Sequence, residues 1–196
     1  MPQLSLFLLG SPRIERDGAT VRIDRRKSLA LIAYLAMTGE SHGRDKLATL
    51  LWPELGQSRA RAGLRAALST LKKALGDGSL EIDRESAGLS LKITPPAPEP
   101  QSSSRNALWL DVAEFRAMLA QCRTHDHPEE VVCPDCLSTL TQAVELYHDD
   151  FLAGFTLRDS PLFDEWQFFQ TEGLRKELLG ALARLAEGYA GRGELE

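Results

Sequence analysis

The spacing of apolar positions changes from a strand-like to a helix-like repeat near residue 26. Before it, the short runs LSLFLLG, PRIERDG and ATVRI predict strands of a small antiparallel sheet, with a tight turn at Asp17-Gly18. From Arg26 onward, apolar residues recur at helical spacing, and Gly39 is placed to end the helix. The chain therefore opens with a small sheet followed by a helix.

Two further elements flank a longer helix in this half of the chain. A short helix is predicted from Arg44 to Trp52, because Pro53 cannot continue it. Farther along, LEIDRESAGLSLKI predicts two strands around a turn at 85–88, which is a β-hairpin.

The longer helix, predicted over residues 57–76, has one apolar and one cationic face. Ser58 is the expected N-cap, and Gly76 the expected end. The apolar stripe is Leu64, Leu68, Leu71 and Leu75. The polar row is Arg61, Arg65, Ser69 and Lys72, with Arg59 and Lys73 beside it. With five basic residues and no acidic one, this helix suits the DNA major groove; the alternative is a solvated surface face.

The second half of the chain is predicted to be helical. One helix starts near Asp111, and another starts at Cys133 or Pro134 and runs to about Phe151. Ser160-Pro161 then marks the start of a long helix by N-cap and N1 preferences. The aromatic residues of this half are expected in the core.

Charge divides the 196-residue chain into two parts. Residues 1–94 carry 15 Lys and Arg against 10 Asp and Glu, whereas residues 95–196 carry 8 against 18. Between them, ITPPAPEPQSSSRN is rich in Pro and Ser and has no apolar periodicity. We therefore expect a domain over 1–94, a linker over 95–106 and a domain over 107–196. The alternative is a long loop inside one domain.

Sequence composition also bears on where the protein acts. No apolar run reaches the roughly 18 residues that span a bilayer. MPQLSLFLLG lacks the basic start of a signal peptide, and three cysteines do not suggest a secreted disulfide framework. The expected location is the cytoplasm, without a membrane partner.

All three cysteines and two of the four histidines lie in the stretch CRTHDHPEEVVCPDC. The pattern C-x2-H-x-H-x5-C-x2-C offers five candidate metal ligands, namely Cys122, His125, His127, Cys133 and Cys136. Thiolates with imidazole favour Zn²⁺, and two ligand pairs can close a four-coordinate structural site. The sequence therefore predicts one structural zinc ion, with His125 favoured over His127 because it repeats the x2 spacing.

Other states of this stretch stay open at the level of sequence. They are a reduced, metal-free loop, a Cys133–Cys136 disulfide, and a redox-sensing or metal-sensing cluster.

The first half resembles a known family over most of residues 4–93. In order, GSPRIERDG, RRKSLALIAYLA, RDKLATLLWPE, SRARAGLRAALSTLKKALG and AGLSL are similar to the DNA-binding domain of the SARP family of bacterial transcriptional activators. This resemblance implies an α+β winged helix-turn-helix domain of the OmpR/PhoB type. It also implies that the helix from Ser58 to Leu75 is the recognition helix.

The resemblance carries a set of DNA-binding positions with it. Groove-facing positions include Ala62, and the first turn of the preceding helix lies near phosphates. Ala62, Gly63 and Ala66 stand where many relatives have polar residues, and the hairpin tip is mostly acidic. The expected DNA-binding residues are Arg44, Lys46, Arg59, Arg61, Arg65, Ser69, Lys72, Lys73 and Arg84.

The second half resembles the bacterial transcriptional activator domain that follows the winged helix in SARP-type regulators. LDVAEF, AVELYHDDFLAGF, SPLFDEWQ and LARLAEGYAGRGELE carry this likeness. It implies an all-α array similar to tetratricopeptide repeats that contacts proteins, and a chain that ends within a repeat.

Together these features predict a sequence-specific DNA-binding transcriptional regulator, and an activator in particular. Its expected partners are double-stranded promoter DNA, RNA polymerase, and a second protomer in a homodimer. The alternative is a protein-interaction scaffold whose winged helix does not bind DNA. An enzyme is not expected, because no carboxylate–histidine–nucleophile arrangement is present.

Overall fold

Helices dominate the structure, with two small sheets in its first half. The computed structural model describes residues 4–90, 92–93, 107–125 and 132–191. In this part of the chain the helices are α1 (Arg26–Thr38), α2 (Arg44–Leu51), α3 (Gln57–Leu75), α4 (Asp111–Thr124), α5 (Pro134–Leu146) and α6 (Pro161–Ala190). The strands are β1 (Leu4–Phe7), β2 (Arg13–Arg16), β3 (Ala19–Thr20), β4 (His42–Gly43), β5 (Leu80–Ile82), β6 (Ser86–Leu89), β7 (Lys92–Ile93) and β8 (Ala107–Leu110).

The three helices predicted for the first half are confirmed, with one corrected start. α1 ends where Gly39 adopts a left-handed φ of 64° and donates its N–H to Leu35 O. The N-cap of α3 is Gly56, two residues earlier than the expected Ser58, and no side chain caps the helix. The prediction of Ser58 as N-cap is therefore wrong, since Ser58 lies within the first turn.

The hairpin after α3 turns earlier than the predicted 85–88. The carboxylate of Asp83 accepts the N–H groups of Glu85 and Ser86, at 2.7 and 2.6 Å, and thereby closes the turn before β6. Gly88 instead lies in β6, where a Cβ would come within 3.0 Å of Ser41 Cα. The predicted hairpin is thus joined by β4, a strand that the sequence did not predict, in a three-stranded sheet of order β4-β6-β5.

A second sheet joins the start of the chain to a strand that sequence patterning did not predict. Its order is β3-β2-β1-β8-β7, with β1 antiparallel to β2 and parallel to β8. Leu4 pairs with Leu108 and Leu6 with Leu110, and all four side chains are buried. The segment that opens the second half therefore belongs to the sheet of the first half.

Asp111, the first residue of α4, ties the end of β1 to this helix. Its Oδ2 accepts the N–H groups of Leu8 and Leu9, at 2.7 and 2.8 Å, and its Oδ1 accepts that of Val112 at 2.7 Å. Burial raises the pKa of Asp111 to about 6, against the opposing effect of these three donors. The group is thus mainly ionised at neutral pH and satisfies backbone groups of both halves.

The second half is an antiparallel helical array, in which α4 packs on α5 and α5 on α6. α5 ends at Leu146, short of the predicted Phe151, because Phe151 forms a β-bridge with Leu9. Ser160 occupies the predicted N-cap of α6 but makes no capping bond. Its hydroxyl donates instead to Leu51 O, at 2.7 Å, and connects α6 to α2.

Further contacts join the two halves along α1. Lys27 pairs with Asp159 at 2.8 Å, and the ring of Tyr34 meets that of Trp166 edge-on with centroids 4.9 Å apart. One hydrophobic core runs from β1 through to α6. The boundaries at 1–94 and 107–196 stay a prediction about function, but the segments they separate pack together.

The predicted linker, 95–106, lies outside the described residues. Among the described helices, none is long and apolar enough to cross a membrane.

We predict that Asp111→Asn lowers the free energy of unfolding by about 1–3 kcal/mol, because an amide cannot accept all three backbone N–H groups. Chemical denaturation at pH 7.5 measures this. The matched control is Asp24→Asn, at an exposed position, which should leave the midpoint unchanged. Equal midpoints for Asp111→Asn and wild type would contradict the proposed role of this carboxylate.

Candidate nucleic-acid interface and candidate metal site

α3 presents the two faces that its sequence predicts. The leucines of the apolar stripe are all buried, and the polar row Arg61, Arg65, Ser69 and Lys72 is exposed along the opposite side. Arg59 and Lys73 are exposed as well. α3 therefore presents five basic side chains to solvent and contains no acidic residue.

The N-terminal half of α3 forms one wall of a surface cavity. α2 contributes Arg44 to this cavity, the hairpin contributes Arg84, and α3 contributes Arg61 and Arg65. Arg44 is held in place because its guanidinium donates to Asp83 O at 2.9 Å. Three separate elements thus bring four of the predicted DNA-binding residues together.

Asp45 of α2 neutralises one of these cations. Arg61 donates from Nε and Nη2 to the two carboxylate oxygens of Asp45, at 2.6 and 2.7 Å. The hydrogen bond from Arg61 holds the pKa of Asp45 below its usual value. Both side chains are more than half exposed, so the pair is open to competition from solvent or a phosphate. Among the described residues, Arg65 makes no such ion pair.

The other predicted DNA-binding residues lie outside this cavity. Lys46 Nζ is 3.4 Å from Nδ1 of the buried His42, at the side of α2. Lys72 pairs with Asp77 at 3.5 Å near the end of α3. Arg59, Ser69 and Lys73 are exposed on α3 but do not line the cavity.

Packing explains the small residue in the first turns of α3. Gly63 faces the ring of Trp52, and a Cβ at this position would lie 2.7 Å from Trp52 Cε2. Such a distance is shorter than real Cβ contacts, so only glycine lets the end of α2 approach α3 this closely. Gly63 therefore sets the spacing of the two helices rather than contacting a ligand.

The cysteine-rich stretch closes on itself where α4 ends and α5 begins. Cys133 is the N-cap of α5, and its sulfur accepts the N–H of Cys136 at 3.4 Å. His125 follows α4, with its Nδ1 lying 3.3 Å from Cys133 Sγ and 3.5 Å from Cys136 Sγ. The three ligand atoms lie within 4.8 Å of one another and could hold a metal ion.

These distances are compatible with a tetrahedral metal ion. With Zn–S near 2.3 Å and Zn–N near 2.0–2.1 Å, tetrahedral geometry puts nitrogen and sulfur about 3.6 Å apart. No disulfide joins Cys133 to Cys136 in the structure. Burial raises the pKa of Cys136 to about 12, whereas the backbone N–H of Cys136 lowers that of Cys133.

Of the remaining two predicted ligands, the structure describes only Cys122. Cys122 is buried next to Cys136, with its thiol directed to Cys136 O at 3.7 Å, but it is not within 4.8 Å of all three atoms. His127 lies outside the described residues.

Asp45 and Arg184 contribute to these sites, and sequence reasoning missed both. Asp45 lies on α2, and its pairing with Arg61 depends on the angle between two helices. Arg184 lies on α6, where its Nη2 donates to Cys122 O at 3.5 Å. Sequence periodicity carries no signal for either contact.

Comparison with known proteins identifies one shared fold. No family model matches the chain, and no curated protein matches it. Among solved structures, the chain is similar to EmbR of Mycobacterium tuberculosis, determined in complex with a low-affinity phosphopeptide, with a TM-score of 0.74 and 22% identity. The match covers 99% of this chain and 47% of that chain. The two proteins thus share a fold, and this chain spans about half the length of EmbR.

We predict that Gly63→Ala destabilises the protein by about 1–3 kcal/mol, because the added methyl group overlaps the Trp52 ring. The matched control is Gly180→Ala in α6, which meets nothing within 4 Å. This control should stabilise by up to about 1 kcal/mol through helix propensity alone. Thermal unfolding of both variants gives the sign, and stabilisation by Gly63→Ala would contradict the packing described here.

Proposed function

We propose that this chain is a sequence-specific DNA-binding regulator of transcription, and an activator of the SARP type. The observation that carries the proposal is the exposed cationic face of α3, held beside the N-terminus of α2 and the β5–β6 hairpin. A winged helix presents this same set of elements to DNA, with the recognition helix in the major groove. The fold shared with EmbR supports the same reading.

Charge supports the proposal locally rather than globally. The whole chain has a formal charge of −5, yet the cavity beside α3 is lined by four arginines and two acidic residues. Affinity for the phosphate backbone depends on cations near the contact surface. An otherwise acidic surface would repel DNA elsewhere and so favour one orientation.

A protein-interaction scaffold is the second candidate, and the Arg61–Asp45 pair favours it. This ion pair removes one cation from the cavity, and Glu85 adds a negative charge at the hairpin. A winged helix with a neutralised recognition surface could serve protein contacts alone. The two functions differ in whether Arg65 and Arg61 contribute to DNA affinity.

We assign the helical half to protein contacts, with RNA polymerase or a second protomer as the partner. Along α6, Phe168, Phe169 and Leu179 are 58%, 62% and 66% exposed. Apolar side chains that stay exposed on a soluble surface often mark interaction sites. An array similar to tetratricopeptide repeats would present such a surface.

The Cys–His cluster holds one structural zinc ion in this proposal. Its role is to fix the end of α4 against the start of α5. A metal-bound closure stabilises the native state because the unfolded chain lacks a preformed site. Elemental analysis of the purified protein should find about one zinc per chain.

We predict that Arg65→Ala weakens binding to a DNA site selected from a random library by about 1–3 kcal/mol and relaxes its sequence preference. Arg61→Ala should do the same once DNA displaces Asp45, whereas Lys72→Ala should weaken all sequences about equally through a lost phosphate contact. Fluorescence anisotropy at fixed salt concentration measures each affinity.

The control for lost positive charge is Lys176→Ala, an exposed cation on α6 far along the chain from α3. Its affinity for the selected site should equal that of wild type. If Arg65→Ala and Arg61→Ala both bind as wild type does, α3 is not the recognition helix and the scaffold function is preferred.

A further inference from the structure

The cluster of His125, Cys133 and Cys136 supplies three donors, and a structural zinc site needs four. We infer that Cys122 is the fourth ligand, and that Arg184 of α6 offsets the negative charge of the resulting site. This inference rests on the proposal that the cluster binds zinc. It assigns the ligand set and adds α6 to the group of elements that the ion joins.

Spacing and burial point to Cys122. Cys122 and His125 stand three residues apart at the end of α4, just as Cys133 and Cys136 do at the start of α5. The Cys122 side chain is 2% exposed. Its thiol is directed to Cys136 O at 3.7 Å, and the thiol of Cys136 is directed to Cys122 O at 4.0 Å.

Cys122 Sγ must move toward the other three donors to complete the site. Cys122 Sγ lies beside Cys136, although not within 4.8 Å of every atom of the group. A cysteine side chain has one torsion, and moving between its staggered wells reorients the sulfur without backbone movement. The bond energy of a thiolate ligand far exceeds the cost of such a change.

The charge of this ligand set calls for a cation. Zn²⁺ with three thiolates and one neutral imidazole carries one net negative charge, part of it on the buried sulfurs of Cys122 and Cys136, and a buried charge is costly unless it is paired. Arg184 lies beside Cys122, because its Nη2 donates to the backbone O of Cys122 at 3.5 Å. Its Nε is buried and has no hydrogen-bond partner among the described residues.

A thiolate at Cys122 would accept a hydrogen bond from the Nε–H of Arg184. Buried N–H groups of arginine are rarely left without an acceptor, and a metal-bound sulfur accepts hydrogen bonds. A thiolate at Cys122 would thus both supply the missing fourth ligand and pair with the Nε of Arg184. With His127 as the fourth ligand instead, the site would be neutral and Arg184 would have no charge to offset.

Cobalt substitution counts the thiolates in the wild-type chain. Co²⁺ replaces zinc in tetrahedral sites, and the intensity of its sulfur-to-metal absorption scales with the number of thiolate ligands. The reduced full chain, loaded with one Co²⁺, should show the intensity of three thiolates. An intensity that corresponds to two would overturn the assignment of Cys122 while leaving the zinc proposal intact.

Variants then test each residue through zinc affinity, measured by competition with a chromophoric chelator. Cys122→Ser should bind zinc at least about 100-fold more weakly, because loss of a ligand costs more than the roughly 10–100-fold that loss of an outer contact costs. His127→Ala should bind zinc as tightly as wild type does. Wild-type affinity in Cys122→Ser, or its loss in His127→Ala, overturns the ligand set. If wild type binds no zinc at all, the zinc proposal fails and this inference with it.

Arg184 is a positioning residue, and its test separates charge from packing. Arg184→Met should weaken zinc binding by about 10–100-fold, and Arg184→Lys should restore most of it. Arg123→Met is the matched control, because Arg123 is exposed and lies next to Cys122 in sequence. Its zinc affinity should equal that of wild type. Equal affinities of Arg184→Met and wild type would overturn the charge-compensating role.

Discussion

The carboxylate of Asp111 satisfies backbone N–H groups at the end of β1 and at the start of α4, and the rest of the fold depends on this junction. β1 lies between β2 and β8, and the hydrogen bond from Leu8 N–H to Asp111 joins residues 103 positions apart in the chain. Buried backbone donors need acceptors, and here one side chain serves three of them. The halves that differ in charge therefore share one hydrophobic core.

A shared core has consequences for the proposed function. α6 contacts α2 through the hydrogen bond from Ser160 to Leu51 O, and α2 in turn meets α3 through Trp52 and Gly63. The proposed DNA-contacting helix is thus held by the same packing that positions the helical array. A partner that binds the array would act on a surface fixed relative to DNA, which suits a regulator that brings two macromolecules together.

Several local features can be predicted from the sequence, whereas contacts between distant parts of the chain cannot. Gly39 ends α1 and Asp17-Gly18 forms a turn, because positive φ values favour Gly and Asp. The leucine stripe of α3 is buried as its spacing predicts. By contrast, β8 is four residues long and has no periodicity to distinguish it, and its pairing with β1 is a long-range contact.

The same distinction holds for the sites. The spacing of Cys133 and Cys136 indicated a shared ligand pair, and the structure places His125 beside both. The predicted hairpin turn at 85–88 is wrong because the side chain of Asp83, rather than a glycine, determines the turn.

The most direct test of the proposed specific DNA binding compares the affinity of the chain for a selected site and for an unrelated duplex over a salt series. We expect at least about 10³-fold preference for the selected site and a linear fall of log K with log salt concentration for both duplexes. Equal affinity for the two duplexes, or no binding at low salt, would contradict it.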